Sequence, residues 1–190
     1  MGASRRRTVA LLGGSFNPPH VGHLLIAQYV HATVDVDAVW LMPSANHPLG
    51  KPLTPYAERR AMCEALTTET SGWLQVTDVE AELGGGGRTV DTLEHLTRTH
   101  PETDWVLVVG SDIVAELPLW KDVERIRELS RMLVFHRAGY PEPGAVGPPI
   151  VEVSSTRIRE DLRAGKDVSD RVPRNVLQVI AQSGLYRDPA

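Results

Sequence analysis

Apolar runs of strand length alternate along the chain with longer stretches in which apolar residues recur at helical spacing. The runs TVALL, AVWLM, WLQVT, WVLVVG, RMLVFH and IVEV predict strands at residues 8–12, 38–42, 73–77, 105–110, 131–136 and 150–153. Helical spacing predicts helices at 24–33, 55–68, 90–100, 156–164 and 173–183. The run WVLVVG is apolar on both faces, which is the pattern of a central strand in a parallel sheet.

This alternation predicts an α/β fold, a doubly wound parallel sheet with helices on both faces. Because the carboxyl ends of parallel strands share one edge, ligands are expected there. The Gly- and Pro-rich segments 43–54 and 137–149 are predicted loops, and GGGG at 84–87 is predicted to be a turn or hinge inside the domain. The 190 residues suit one domain, 1–190, in which residues 1–7 form a flexible, solvated tail.

Composition excludes several classes of protein. There are 20 Lys and Arg residues against 24 Asp and Glu residues, a net charge of −4, so no nucleic-acid partner is expected. No apolar stretch is long enough to span a bilayer, and the N-terminal stretch lacks the apolar region of a signal peptide, so no membrane partner is expected. Cys63 is the only cysteine, which excludes an intramolecular disulfide and fits a cytoplasmic location. Within RRAMCEAL it is interpreted as a small apolar helix residue.

A first candidate site lies in LLGGSFNPPHVGHLLIA, residues 11–27. Gly13 and Gly14 follow a strand and precede a helix, where glycine lets the backbone approach a ligand and the helix offers free N–H groups. His20 and His23 are three residues apart and so share one helix face. Zinc binding, helix capping or packing, and phosphate binding compete to explain the pair. Zinc needs three or four ligands, and no further Cys and His cluster is present, so phosphate binding is favoured.

A second candidate site lies in VSSTRIRE, residues 153–160. The hydroxyls of Ser154, Ser155 and Thr156 are good helix caps, and this is one interpretation. The other is an anion site, because hydroxyls, free N–H groups and the Arg157 guanidinium meet at one helix start. Both candidate sites follow strands and therefore share an edge, which suits a triphosphate or two phosphorylated substrates.

The same residues resemble a known superfamily. GGSFNPPHVGH is similar to the GGxFxPxHxGH signature of the nucleotidylyltransferases, and SSTRIR resembles their SSTxIR motif. RTVDTLEHL, VVGSDIVAELPLW and VPRNVLQVIAQSGLY look like segments of the nicotinate-nucleotide adenylyltransferases, so the resemblance covers nearly the whole chain. It implies a Rossmann-like nucleotidyltransferase fold and an enzyme that joins ATP, with Mg²⁺, to nicotinate mononucleotide. The products would be deamido-NAD, in NAD biosynthesis, and pyrophosphate.

The resemblance also implies roles for individual residues. The catalytic groups would be His20, His23 and Arg157, which neutralise charge rather than attack the substrate, since adenylyl transfer needs alignment and no enzyme nucleophile. The implied ATP site comprises Gly13, Gly14, Ser15, Phe16, His20, His23, Gly110, Asp112, Ser155, Thr156 and Arg157. The implied nicotinate-nucleotide site comprises Ser15, His47, Lys51, Arg88, Thr89, Asp91 and Trp120. No metal site on the protein itself is implied.

Several of these residues have a second interpretation. Trp120 either stacks on the pyridine ring or is a half-buried aromatic at a helix end. Thr89 and Asp91 either approach the nicotinate nucleotide or cap the next helix, and Asp112 either approaches the adenosine or caps a helix.

Three departures from the family pattern leave the pyridine substrate open. SANHPLGK stands where Pro-Pro-His-Lys is common, GRT replaces Ser-Tyr-Thr, and Asn17 replaces Asp. Nicotinate and nicotinamide mononucleotide both remain possible, and an inward-pointing Arg88 would favour the carboxylate. The alternatives are another adenylyltransferase of this fold, such as the pantetheine-phosphate enzyme, or a nucleotide-binding regulator without turnover. A homo-oligomer is left open.

Overall fold

A computed structural model describes residues 5–46, 50, 52–84, 88–150 and 153–187. Within these ranges the strands are β1 (Arg7–Gly14), β2 (Ala38–Pro43), β3 (Leu74–Val76), β4 (Thr103–Gly110), β5 (Ser130–Arg137) and β6 (Val146–Ile150). The α-helices are α1 (Val21–Thr33), α2 (Tyr56–Thr67), α3 (Val79–Glu82), α4 (Thr89–Thr99), α5 (Val123–Leu129), α6 (Ser155–Arg163) and α7 (Arg174–Gln182). A 3-10 helix spans Val114–Leu119.

The strands form one parallel sheet in the order β3-β2-β1-β4-β5-β6, which confirms the predicted doubly wound fold. Strand β1 shows why both faces are covered. Ala10 and Leu12 belong to one hydrophobic core, while Val9 and Leu11 belong to the core on the opposite face. The first core also takes side chains from α1, α2, α6 and α7, and the second takes side chains from α3, α4 and α5.

The chain order reverses at β1, whose two neighbours are β2 and β4. In a doubly wound sheet a crevice opens at this point, outside the carboxyl ends of the strands. The first predicted motif follows β1, and Gly110 and Asp112 lie at the end of β4, so the topology places them at this crevice. The second motif, SSTRIR, follows the edge strand β6. No helix in the described part of the chain is long and apolar enough to cross a membrane.

The last strand differs from its prediction. It is expected at 150–153, yet β6 occupies Val146–Ile150, and all of this strand except Ile150 lies in the predicted loop. Residues 151 and 152 of the expected strand lie outside the described residues. Proline removes a donor, but β6 is an edge strand that pairs, among the described strands, with β5 alone, so prolines are tolerated there. Gly147 has a φ of +82°, and a Cβ at this position would lie 2.5 Å from the Phe135 ring. Glycine therefore lets the edge strand close over that aromatic side chain.

Other boundaries also moved. Helices α3 and α5 and the 3-10 helix were not predicted, because they are short and Pro118 interrupts helical periodicity. Arg7, expected in a solvated tail, is the first residue of β1. Arg6 forms an exposed ion pair with Asp104 at 2.8 Å. Cys63 is fully buried in α2, and burial raises the pKa of its thiol, which agrees with the apolar interpretation.

Candidate active site

The turn after β1 brings the backbone of two glycines to the crevice. A Cβ at Gly13 would meet the Met42 side chain at 3.4 Å, and one at Gly14 would meet the Phe16 ring at 3.4 Å. Phe16 has a φ of 46°, a left-handed conformation, and its ring is fully buried. The Phe16 side chain is therefore part of the hydrophobic core that supports the site, and it does not line the site as the resemblance implies.

The two histidines form one stacked unit at the start of α1. His20 is the N-cap residue, and its backbone N–H donates to Nδ1 of His23 at 3.2 Å. Their ring centroids are 3.8 Å apart with an interplanar angle of 28°, and the His23 ring packs against Phe16 at 4.7 Å. A Cβ at Gly22 would lie 3.1 Å from the His20 ring, so glycine between the histidines makes room for the stack.

The surroundings decide the protonation state of both histidines. Burial, and then the charge of Arg137, lower the pKa of His20 to about 4. The pKa of His23 is lowered well below its ordinary value by burial, then by His20 and Arg137. Both rings are therefore neutral in the free protein at pH 7. Because His23 Nδ1 accepts a hydrogen bond, its proton is assigned to Nε2, which leaves Nε2–H as a donor.

The first turn of α1 is less open than the sequence indicates. The N–H of Val21 donates to the Arg171 carbonyl at 2.9 Å, and the N–H of His23 donates to the His20 carbonyl at 3.0 Å. The capping interpretation of the pair is thus partly confirmed, since His20 is the N-cap residue of α1 and its N–H donates to the His23 ring. With these two backbone donors occupied, the imidazole N–H groups are candidate donors for an anion at this turn.

The two sites predicted from sequence are joined into one. Ser154 caps α6 and accepts from the Arg157 N–H at 3.5 Å. The Ser155 hydroxyl donates to the Pro18 carbonyl at 3.0 Å, and Arg159 donates to the Asn17 carbonyl at 2.6 Å. These contacts connect the start of α6 to the loop that precedes the histidines, across more than 130 residues of sequence.

Arg157 and Thr156 are exposed at this junction. Arg157 Nε lies 3.8 Å from the Asp161 carboxylate, and its side chain is 68% exposed. Asp161 has closer partners in Arg171 at 2.8 Å and Lys166 at 3.1 Å. The contact with Arg157 is therefore the weakest of the three, and a bound phosphate can take its guanidinium at little cost.

Behind the histidines, the ends of β4 and β5 carry an acid and a cation. A Cβ at Gly110 would lie 2.3 Å from Asp112 Oδ1 and 3.8 Å from Arg137 Cδ, so both side chains cross the backbone of this glycine. Asp112 Oδ2 is 3.5 Å from Arg137 Nε, whereas Oδ1 is buried without a hydrogen-bond partner among the described residues. The capping interpretation of Asp112 is wrong, because the 3-10 helix that follows has no side-chain cap.

Arg137 was not recognised as a site residue from the sequence. It is the last residue of β5 and lies at the carboxyl edge, and its charge acts on His20 and His23. Its side chain is 59% exposed. The available signal was its position directly after the apolar run RMLVFH, the same signal that singled out the residues after β1 and β4.

The residues expected to hold the nicotinate nucleotide divide into two groups. Thr89 is the first residue of α4 and Arg88 is the exposed N-cap without a side-chain hydrogen bond, so the capping interpretation of Thr89 is wrong. Asp91 accepts from Lys121 Nζ at 2.8 Å, which ties the half-buried Trp120 to the start of α4. His47 and Lys51, like the glycines 85–87, lie outside the described residues.

The first turn of α4 lies at the carboxyl edge of the sheet, because this helix leads back to the opposite edge, where β4 begins.

A cavity of about 310 Å³ elsewhere is lined by residues that include Trp40, His95 and His100, and it contains none of the predicted site residues. Across the described ranges, no three His, Cys, Asp or Glu side chains are grouped so that they could hold a metal ion.

Comparison with known proteins agrees with these motifs. Residues 11–161 match the cytidylyltransferase-like family. The chain is 58% identical over 178 residues to a probable nicotinate-nucleotide adenylyltransferase of Myxococcus xanthus, covering 94% of each chain. It is 45% identical over 185 residues to a protein of the same description from Anaeromyxobacter dehalogenans strain 2CP-1, covering 95% of this chain and 97% of the relative.

Solved structures show the same fold. Nicotinic acid mononucleotide adenylyltransferase of Plasmodium falciparum, complexed with NaAD, superposes with a TM-score of 0.79 at 18% identity, covering 95% of this chain and 97% of that one. A putative nicotinate-nucleotide adenylyltransferase of Vibrio parahaemolyticus superposes with a TM-score of 0.74 at 24% identity, covering 92% and 99% of the two chains. The Rossmann-like nucleotidyltransferase architecture is thereby confirmed.

Proposed function

The chain belongs to the cytidylyltransferase-like family, among the nicotinate-nucleotide adenylyltransferases, and from this we propose that it transfers the adenylyl group of ATP to nicotinate mononucleotide. The products are deamido-NAD, an intermediate of NAD biosynthesis, and pyrophosphate. The observation that carries the proposal is the hydrogen bond from Ser155 to Pro18, since it joins both phosphate-binding motifs at one edge of the sheet.

The reaction needs no nucleophile from the protein. A phosphate oxygen of the mononucleotide attacks the α-phosphorus of ATP, a new P–O bond forms, and the bond to the β-phosphate oxygen breaks. The protein aligns the two phosphates and stabilises the charge that moves onto the leaving pyrophosphate. The buried position and raised pKa of Cys63 are consistent with this, because they leave its thiol inert.

We assign the phosphate contacts as follows. His23, through Nε2–H, and His20 donate to the ATP phosphates as neutral rings. Thr156 and Arg157, with Ser155 positioning their turn, take the β- and γ-phosphates and the departing pyrophosphate. The backbone of Gly13, Gly14 and Ser15 lies against the reacting phosphates, as the predicted glycine turn implies.

Asp112 Oδ1 is the acceptor assigned to a ribose hydroxyl of ATP beside Gly110, because it is a buried carboxylate oxygen without a partner among the described residues. Mg²⁺ is proposed to arrive bound to ATP as part of the substrate, because this cation is held chiefly by substrate phosphates and water. Bound there, it would neutralise charge on the phosphates.

The nicotinate nucleotide is assigned to the other side of the crevice. Trp120 stacks on the pyridine ring, and Thr89 and Asp91 flank it at the start of α4. His47 and Lys51 lie outside the described residues and stay predicted contacts of this nucleotide. Arg88 is exposed beside this group and free of a capping bond, so its guanidinium is available to the carboxylate of nicotinate. The single-domain organisation, a cytoplasmic location and a homo-oligomer stay predictions.

The experiment that tests the proposal is a substrate panel with the purified protein. ATP and Mg²⁺ are supplied with nicotinate mononucleotide, nicotinamide mononucleotide or phosphopantetheine, and dinucleotide and pyrophosphate are quantified. We expect deamido-NAD and pyrophosphate in equal amounts. Turnover of phosphopantetheine alone would assign the chain to another branch, and binding of ATP without turnover of any acceptor would indicate a regulator.

A further inference from the structure

Arg59 is a buried cation beneath the site that none of the roles above uses. It lies in α2 and is only 1% exposed. Its guanidinium donates to three backbone carbonyls, those of Ser15 at 2.9 Å, Ala45 at 3.3 Å and Thr54 at 2.8 Å. The planar fork of arginine, with donors on three nitrogens, is suited to holding three acceptors at fixed angles.

The three carbonyls belong to separate parts of the crevice. Ser15 follows β1, Ala45 follows β2, and Thr54 lies one residue before the N-cap of α2. Arg59 thus bonds to both ends of the connection between β2 and α2 and ties them to the turn after β1. These segments lie beyond the ends of the strands, where the ladder of backbone hydrogen bonds no longer determines their spacing.

Ala45 is held from a second side. Its N–H donates to Glu80 Oε2 at 3.2 Å, while its carbonyl accepts from Arg59. Glu80 stabilises the charge of Arg59 without forming an ion pair with it among the described residues. Burial raises the pKa of the Glu80 carboxyl, and Ala45 and Arg59 oppose that rise. The backbone of Ala45 is therefore clamped between a buried cation and a half-buried acid.

Stability alone does not require a guanidinium at this position. A buried charge without an ion-pair partner carries a desolvation penalty, and an apolar side chain of similar volume would fill the space without it. What an apolar side chain cannot supply is a set of directed bonds to three backbone carbonyls. The arrangement therefore favours positioning of the backbone over packing.

We propose that Arg59 is a positioning residue that holds Ser15 at a set distance from Ala45, and so keeps the ATP and nicotinate-nucleotide halves of the site aligned for transfer. This inference rests on the proposed function, in which the Ser15 backbone lies against the reacting phosphates. Misalignment of reacting phosphates by about 1 Å costs on the order of 100-fold in rate, even when each substrate still binds. Loss of the Arg59 hydrogen bonds should therefore reduce kcat and the affinity for deamido-NAD, which spans both halves, more than the affinity for either substrate alone.

The test compares Arg59→Lys, which keeps the charge but loses the planar fork, with Arg60→Lys as a matched control. Arg60 is the next residue of α2 and pairs with Asp78 and Glu64, each at 2.8 Å, away from the three carbonyls. Isothermal titration measures the Kd of ATP alone and of deamido-NAD, which spans both halves, and steady-state assays give kcat.

For Arg59→Lys we expect kcat to fall roughly 30-fold and the affinity for deamido-NAD to fall roughly 10-fold, with the Kd of ATP changed less than about 3-fold. Arg60→Lys should leave all three at wild-type values. Wild-type kcat in Arg59→Lys, or an equal loss of affinity for ATP and for deamido-NAD, would overturn the proposal. A wild-type protein that neither forms nor binds deamido-NAD would instead refute the proposed function.

Glu80→Ala provides a second route in case Arg59→Lys fails to fold. It removes the acceptor for the Ala45 N–H while leaving the buried core of α2 intact. The same selective loss of kcat and of deamido-NAD affinity is expected, with a smaller size of roughly 5-fold because one bond of the clamp is removed. Glu80→Gln keeps an acceptor oxygen and should restore both quantities. Failure of glutamine to restore them, or no loss in Glu80→Ala, would contradict the clamp.

Discussion

The backbone N–H of His20 donates to Nδ1 of His23, and this hydrogen bond determines which nitrogen of His23 carries its proton. The pair was interpreted from sequence as a phosphate clamp of unknown charge. Because burial and Arg137 lower the pKa of both rings, the two histidines are neutral in the free protein and offer N–H groups, not positive charge, to a phosphate.

Replacing either histidine by alanine should lower kcat about 100-fold to 1,000-fold, the usual effect of removing a donor to transition-state charge. His23→Ala also removes a ring that packs between His20 and Phe16 and accepts the His20 N–H, so thermal unfolding is measured alongside turnover to separate the two effects. Turnover assays with saturating ATP and nicotinate mononucleotide measure the effect, and Gln28→Ala, exposed on the same helix, is the control. Near-normal rates in both histidine variants would refute the phosphate role.

The stability of the free protein should decrease in mild acid because of His20. Its folded pKa of about 4 lies below the ordinary 6.5, so the unfolded chain binds the extra proton between these values. The contribution is present above pH 6.5 and is lost as the pH falls towards 4, at up to about 1.4 kcal/mol per pH unit.

Urea unfolding at pH 7.5 and pH 5 measures this loss in the wild type and in His20→Gln. We expect a smaller difference between the two pH values in the variant. Glu80, whose raised pKa acts in the opposite direction, is common to both proteins and cancels in the comparison. The same pH dependence in both proteins would mean that His20 is not the titrating group.

Arg137→Ala should raise the KM for ATP roughly 10-fold, because the cation that acts on the two proposed phosphate-binding histidines is removed. It should also raise the pKa of His20, since the positive charge that opposes protonation is gone. Kinetics and an NMR titration of the histidine ring protons measure the two effects. Arg131→Ala, exposed on the same strand, should change neither. A KM for ATP equal to that of the wild type would exclude Arg137 from the phosphate site.

Trp120→Ala should raise the KM for nicotinate mononucleotide roughly 10-fold to 100-fold and the KM for ATP much less, because the loss of a stacked ring affects only the pyridine side. Initial rates with each substrate varied in turn separate the two constants. An equal rise for both substrates would indicate that Trp120 supports the fold of the crevice and does not stack on the ring.

Arg88→Ala should narrow the preference for nicotinate over nicotinamide mononucleotide, since a guanidinium near the pyridine ring attracts only the carboxylate. The ratio of kcat/KM for the two nucleotides is the measured quantity, and a decrease of roughly 10-fold is expected. Arg98→Ala, on the exposed face of the same helix, should preserve the ratio. An unchanged ratio in Arg88→Ala would place the selectivity in other residues.

Sequence and structure agree best where the pattern is local. The apolar runs at β1, β2, β4 and β5 identify central strands covered on both faces, because periodicity and length are properties of the neighbouring residues alone. The edge strand β6 begins earlier than predicted because its prolines are compatible with pairing at an edge, and the position of an edge is set by the whole sheet.

The sequence by itself therefore determined the fold class, the family, and the two candidate phosphate-binding motifs, all of which are carried by contiguous residues. Tertiary structure decided what those motifs can do. It joined Ser155 to Pro18 and placed Arg137 beside the histidines. It also left Asp112 Oδ1 buried without a hydrogen-bond partner among the described residues, and buried Arg59 against three carbonyls. Burial and charge at one atom depend on side chains brought together from distant segments, so the protonation state of His20 follows only from the folded chain.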